Sequence, residues 1–267
     1  MVERVNVLGV GISSLNLDKT IQIITRWIQE KNQSHYVCVT GVHGVMESQQ
    51  DEYLRQIHNR AGLVTPDGMP MVWLGRLNGY RDMSRVYGPD LMLALCKASL
   101  NGGFSHYFYG GAEGVPELLA KQLTEKFPGL RVAGTYSPPF RSLTTAEDEK
   151  IVQQINKANP DIVWVGLSTP KQEKWMAAHI EKLQAPVLIG VGAAFDFHAG
   201  LKKQAPMWMQ RNGLEWLYRL LSEPKRLGKR YLVNNPKFVL LALLQILNLK
   251  KYDKFSEQEQ VDDYILR

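Results

Sequence analysis

The stretch "AGLVTPDGMPMVWLGR", residues 61–76, sets Asp67 between an apolar run and a segment rich in Met and Trp. A carboxylate in such a position has the chemistry to take a proton from a substrate hydroxyl. Pro66-Asp67-Gly68 is also a good turn in its own right, because Pro presets φ, Asp bonds local backbone and Gly accepts φ above zero. Asp67 is therefore either turn chemistry or a catalytic base, and these residues alone leave both readings open.

Other reactive groups stand just after short apolar runs in the same manner: Thr40 to His43, Gly110 to Gly114, Tyr136 to Pro139, Ser168 to Gln172, and Gly192 to His198 with Asp196 among them. Gly110 and Gly111, in "YFYGGAEGVPELL", stand before a helix start whose free N–H groups could hold a phosphate. The spacing is neither GxGxxG nor a Walker loop, so tight turning explains it equally well. In "STPKQEKWM", Lys171 and Gln172 open a helix where an anionic or polar ligand is favoured, or Gln172 supports the helix start. Arg85, Arg219 and Arg226 have two uses as well. They can meet an anionic leaving group, or Arg219 and Arg226 can pair locally with Glu215 at i,i+4 and Glu223 at i,i+3. The histidines and the two cysteines lack metal-ligand spacing, and no DxD pair occurs, so no metal and no cofactor are expected. Were the chain to handle a nucleotide diphosphate, the leaving group's charge would fall to Arg, Lys and helix termini.

The elements that must position these groups alternate. Strand-like runs at 5–10, 36–41, 62–66, 106–111, 131–136, 161–168 and 186–192 are short and nearly continuous in apolar character, as strands buried on both faces are. Helix-length amphipathic segments lie between them, which predicts an α/β fold: a mostly parallel, Rossmann-like sheet with helices on both faces. Ligands of such sheets bind beyond the carboxyl ends of the strands, where the residues named above fall. After about residue 205 the pattern turns wholly helical, with breaks expected at Pro224 and Pro236. The chain thus divides into an α/β domain, 1–204, and a helical basic appendage, 205–267.

At 267 residues and 45% hydrophobic, the chain can bury a sizeable core. Cys38 and Cys96 are too few for a disulfide framework, and the N-terminus reads as a first strand, without the pattern of an export signal. A reducing, cytoplasmic compartment is expected. The net charge of +6 is concentrated: from Arg219 to Lys254 nine Lys or Arg stand against two acids, leaving the remainder near neutrality. Nucleic-acid binders spread such charge along a groove with exposed aromatics, so no nucleic-acid partner is expected. The apolar run 238–249 is 12 residues long, roughly 18 Å of helix against a hydrocarbon core of roughly 30 Å. It is too short to span a bilayer. Gln245, Asn248 and Tyr252 would form one narrow polar face, with Lys250, Lys251 and Lys254 at its end, a pattern that suits a membrane interface. The other use of such a helix is packing on the body or between subunits of a homo-oligomer.

Taken together, "TPDGMPMVWLGR", "RVYGPDLM", "GTYSPPF", "VWVGLSTPKQEKWM", "GVGAAFDFHAG" and "APMWMQRNGLEWLYRLLSEPKRL" stand in the order of the motif series of the WecG/TagA/CpsF glycosyltransferases. Over about residues 5–235 the chain resembles that family. The resemblance implies an inverting, metal-independent hexosyltransferase. Its donor would be a UDP-sugar, often of N-acetylmannosamine or its uronic acid, and its acceptor a polyprenyl-diphosphate-linked sugar. It would work as a peripheral protein on the inner face of the bacterial cell membrane, in teichoic acid, surface antigen or exopolysaccharide synthesis. By the same resemblance Asp67 is the catalytic base, with Thr40, Arg85 and Gln172 in the active site. Arg219, Arg226 and either Lys229 or Arg230 contact the diphosphate, and Tyr136 and Asp196 face the nucleotide. One departure stands out: many members carry Asn two residues after the active-site Thr, where this chain has Val42 followed by His43. A changed pocket wall alters hydrogen bonding to sugar substituents, which bears on the choice of donor. Two other classes compete. An NAD-dependent nucleotide-sugar epimerase or dehydrogenase would need the dinucleotide fingerprint, and "LGVGISSLNL" lacks its third glycine. A non-catalytic, membrane-associated binding protein would be free to lose Asp67, Arg85 or Gln172, all of which are present.

Overall fold

A computed structural model describes residues 2–253. Two short strands, β1 (Arg4–Val7) and β2 (Val10–Ser13), pair antiparallel with each other as a separate hairpin. The expected first strand of the main sheet is thus a hairpin with its turn at Leu8 and Gly9, both at positive φ, and Asn6 Oδ1 accepts from Gly9 N at 2.8 Å. Because β2 returns beside β1, this segment is no strand-to-helix dinucleotide unit, which removes the structural basis for an NAD enzyme here.

The chain then alternates: α1 (Leu17–Glu30), β3 (His35–Thr40), α2 (Val42–Glu47), α3 (Glu52–Arg60), β4 (Leu63–Pro66), α4 (Met69–Leu77), α5 (Gly88–Gly102), β5 (Ser105–Gly110), α6 (Val115–Lys126), β6 (Arg131–Tyr136) and α7 (Thr145–Ala158). It continues with β7 (Ile162–Gly166), α8 (Lys171–His179), β8 (Val187–Gly190), α9 (Ala194–His198), α10 (Met207–Arg211), α11 (Glu215–Ser222) and α12 (Pro224–Ile246). The six strands β3 to β8 form one sheet, wholly parallel, in the order β4-β3-β8-β7-β5-β6. The apolar runs are continuous because alternate residues bury on opposite faces. Tyr36, Cys38, Tyr107, Tyr109, Val163 and Val165 join one core with α7, α8 and the hairpin, while Val37, Val39, Phe108, Ile162 and Trp164 join another with α1, α5 and α6.

Caps mark several helix starts. Asn16 accepts from Lys19 N, and Thr144 with Glu147 closes a capping box. Asp51 caps α3, so the segment between β3 and β4 forms two helices. The break expected at Pro224 is present, and the C-terminal region departs from expectation at Pro236 and beyond the end of the last helix. Pro224 begins α12, where its missing N–H costs nothing, so Arg219 and Arg226 lie on different helices. Pro236 sits within α12 without breaking it, since Leu227, Tyr231, Asn234, Phe238 and Ala242 hold the helix on the body from both sides of the proline. The helix ends at Ile246 and Asn248 adopts φ 56°, so the polar stripe through Gln245, Asn248 and Tyr252 does not form. Gln245 is used differently: it donates to Asn6 O at 2.9 Å and accepts from Leu8 N at 3.0 Å, docking the end of α12 on the hairpin turn. Lys254 lies outside the described residues.

Candidate active site

A cleft of about 1220 Å³ opens at the carboxyl end of the sheet. Its floor is made of the segments that leave the strands: Gly41 to Gly44 after β3, Asp67 to Pro70 after β4, Gly111 and Ala112 after β5, Leu167 to Thr169 after β7 and Val191 to Phe197 after β8. Residues of α11 and α12, among them Glu215, Trp216, Arg219, Arg226, Arg230 and Tyr231, form its far wall.

Asp67 is placed by the ladder itself, since its N–H donates to Thr40 O at 2.9 Å across the ends of β3 and β4. Glycine at 41 makes that approach possible, because a Cβ there would collide with the Asp67 carbonyl oxygen and lie 3.8 Å from Oδ2. Asp67 is partly exposed as a residue because it borders the cleft, yet protein closely surrounds its carboxylate. Burial pushes this carboxyl up to about 6; the charges of Arg85 and Arg219 pull the other way, while Glu215 and Asp90 add to the rise. At neutral pH it is mostly ionised and close to the ideal strength for a general base.

Arg85 is clasped. Nη1 donates to Gln210 Oε1 at 3.0 Å, Nη2 pairs with Glu215, and the guanidinium lies 3.9 Å from the centre of the Tyr87 ring. Both charged side chains are about 15% exposed, so this ion pair joins the segment before α5 to the start of α11 from within. It also replaces the expected local pair of Glu215 with Arg219, because a buried partner across the cleft displaces an exposed i,i+4 contact worth a few tenths of a kcal/mol. Arg226 does meet Glu223, through Nε at 2.5 Å and Nη2 at 2.8 Å. Burial opposes the charge on Arg219, but neighbouring Tyr231, Tyr87, Glu215 and Asp67 outweigh it and hold the guanidinium protonated. Arg230 donates to the Tyr231 hydroxyl at 3.3 Å.

Of the residues singled out from sequence, Asp67, Arg85, Gln172, Asp196, Arg219, Arg226, Arg230 and Gly111 line this one cleft. Thr40 is buried at the end of β3, and its hydroxyl has no hydrogen-bond partner. Gly110 packs against the backbone of Gly166, and Tyr136 stacks on cleft-lining Tyr109 with ring centres 6.0 Å apart. Lys229 is exposed and away from the lining, so Arg230 is the member of that pair at the cleft. Asp196 is paired with Lys202 at 2.9 Å. His43 lines the cleft as well; burial, with help from the charges of Arg230 and Arg219, pushes it down to about 4, so it is neutral at pH 7. Sequence reasoning missed Glu215, Gln210 and Tyr87 around Arg85, and the buried Glu173 beside Gln172. A fully buried acid in the first turn of α8 carries no sequence signal, because helix starts favour acids at the surface too.

A sequence profile of the Glycosyl transferase WecG/TagA/CpsF family matches residues 5–252. Among curated proteins, the N-acetylglucosaminyldiphosphoundecaprenol N-acetyl-beta-D-mannosaminyltransferase of Bacillus subtilis (strain 168) is 33% identical over 200 residues, covering 74% of this chain and 75% of the relative. The proteins of that name from Bacillus spizizenii (strain ATCC 23059 / NRRL B-14472 / W23) and Staphylococcus aureus (strain MW2) are 28% and 26% identical, over 80% and 85% of this chain and 80% and 87% of their own.

Proposed function

The chain belongs to the WecG/TagA/CpsF glycosyl transferase family, and from that premise we propose that it moves a hexose, N-acetylmannosamine or a close relative, from a UDP-sugar to a polyprenyl-diphosphate-linked sugar in bacterial cell-surface polysaccharide or teichoic acid synthesis. The observation that carries this reading is the pairing, in one cleft, of a carboxylate whose pKa is raised to about 6 and three arginines from the appendage. The carboxylate is a base for the acceptor hydroxyl. The arginines are counter-charges for a departing diphosphate.

In this mechanism Asp67 takes the proton from the acceptor hydroxyl as that oxygen attacks the anomeric carbon from the face opposite the UDP. One displacement inverts the anomeric centre and calls for a single base, with no enzyme nucleophile. Arg219, Arg226 and Arg230 stabilise the charge that builds on the β-phosphate, a task that fixed cations perform without a divalent metal. Arg85 acts through its position: it lowers the Asp67 carboxyl and, through Glu215, fixes α11 so that Arg219 faces the cleft.

The lipid-borne acceptor favours work at the inner face of the cell membrane. Among the described residues no helix is long and apolar enough to cross a membrane. The outward side of α12 nonetheless presents Leu232, Leu240, Leu243 and Ile246, and Leu247, Leu249, Lys250 and Lys251 come after it. A helix apolar on the side away from the core, with cations at its end, suits an anionic bilayer surface; packing between subunits is the other use of that face. The test is UDP release from a panel of UDP-hexoses, with a short-chain polyprenyl-diphosphate N-acetylglucosamine acceptor, detergent and EDTA. Acceptor-dependent release by wild type but not by Asp67→Asn is expected. Turnover that needs a divalent metal, or that survives in Asp67→Asn, would sink the mechanism.

A further inference from the structure

Glu173 is 1% exposed and does not line the cleft, so it is no base for a substrate. Its Oε1 accepts two hydrogen bonds, from Thr169 Oγ1 at 2.8 Å and from Gln172 Nε2 at 3.1 Å. Its Oε2 is buried without a partner. Burial raises this carboxyl above the usual range, against the pull of the hydrogen bonds from Thr169, its own backbone N–H and Gln172.

The consequence falls on Gln172. Its amide is fixed in one sense, because the NH2 end is spent on Glu173 and the carbonyl oxygen is left as the free end. That oxygen is buried and has no hydrogen-bond partner in the protein, although Gln172 borders the cleft. The glycines of the neighbouring strand end give its direction. A Cβ at Gly190, the last residue of β8, would lie 3.2 Å from Nε2, and a Cβ at Gly192, beyond the strand and on the cleft floor, would lie 3.5 Å from Oε1. The amide therefore lies along the strand end with nitrogen inward and oxygen toward the cleft.

We propose that Glu173 is a positioning residue that turns the Gln172 amide so that its carbonyl oxygen meets the nucleotide sugar, which must bring an O–H or N–H donor to that point. The proposal rests on the reading of the cleft as a UDP-sugar site. Glu173→Gln keeps an acceptor at Oε1 and is nearly isosteric with Glu. Glu173→Leu removes the acceptor and frees the amide to turn.

Affinity for UDP and for UDP-N-acetylmannosamine, measured by calorimetry, separates these cases. Glu173→Gln should bind within about twofold of wild type, while Glu173→Leu should lose roughly three- to tenfold, the worth of one neutral hydrogen bond. A loss for both ligands puts the donor on the uridine diphosphate, and a loss for the UDP-sugar alone puts it on the hexose. Equal affinity in wild type and Glu173→Leu, or an equal loss in both variants, would overturn the proposal. A second readout needs neither ligand nor a folded Leu variant. In 15N-glutamine-labelled wild type, with the Gln172 signal assigned by its absence in Gln172→Met, one side-chain proton should be hydrogen-bonded and slow to exchange. Two freely exchanging protons would refute the fixed amide even if the cleft proved to bind no UDP-sugar at all.

Discussion

Asp67→Asn should make the protein more stable while disabling it, and the size of the effect comes from the site. Burial lifts the Asp67 carboxyl from 3.8 to about 6 on folding. A value raised in the folded state means that the protonated carboxyl favours the fold. That stability is fully present below the unfolded value and is lost as pH rises through about 6. A rise of this size corresponds to about 3 kcal/mol. Asn carries no charge at any pH, so the variant should gain under about 1 kcal/mol over wild type at pH 4 and about 3 kcal/mol at pH 7. For a chain of this size that is roughly 6 to 12 °C in Tm at neutral pH. Urea unfolding of both proteins across pH 4 to 8 measures the difference directly, and UDP release in parallel should fall by roughly 10² to 10⁴. Stability curves that run parallel with pH, or a variant less stable at pH 7 than wild type, would refute a buried base whose charge opposes folding at this position.

The same geometry sets other outcomes. The acid limb of kcat/KM should fall near pH 6 as Asp67 takes up a proton, and Glu215→Gln should move that limb to lower pH because Glu215 helps hold the Asp67 carboxyl up. The same change strips a buried partner from Arg85 and should cost roughly 3 kcal/mol in urea unfolding. Gly110→Ala should lower Tm through more than about 1 kcal/mol of strain, since φ there is 128° and a Cβ would lie 2.7 Å from the Gly166 backbone. Leu243→Glu, at a position half exposed on α12, should reduce co-sedimentation with anionic vesicles by more than about tenfold and leave the UV melting curve near wild type.

The parallel sheet was legible because burial on both faces writes an unbroken apolar run, as in 36–40 and 162–165, and turn residues bound each run. Helix α4 was not, since its exposed side carries the apolar Trp73 and Leu77 opposite the buried Met71, Val72, Leu74 and Gly75, which leaves no amphipathic stripe in the sequence. Asp67 was ambiguous for a chemical reason: the residues that make a good turn are those that can end a strand and present a carboxylate. The arginines of the tail were visible as charge, but their partners were not. Glu215 has a local choice in Arg219 and a distant one in Arg85, and only the folded chain brings the distant one within reach. The hairpin was misread because Leu8 and Gly9 take positive φ inside what reads as a strand, and a leucine there gives no turn signal.

Helix α12, about 35 Å long at 1.5 Å per residue, is held near both ends. Leu227 and Tyr231 are buried at its cleft end, where the Tyr231 ring meets Trp216 edge-on, and Gln245 fastens the other end to Asn6 and Leu8. A beam supported at two points does not swing, so a surface that meets its outward side also sets the tilt of the cleft and the height of Asp67 above that surface. The far support belongs to the opposite end of the sequence. Slack introduced at residues 4–13, far from any reacting group, would then be felt as a mismatch of reach: the hydroxyl to be glycosylated would arrive at the wrong altitude over an otherwise intact carboxylate.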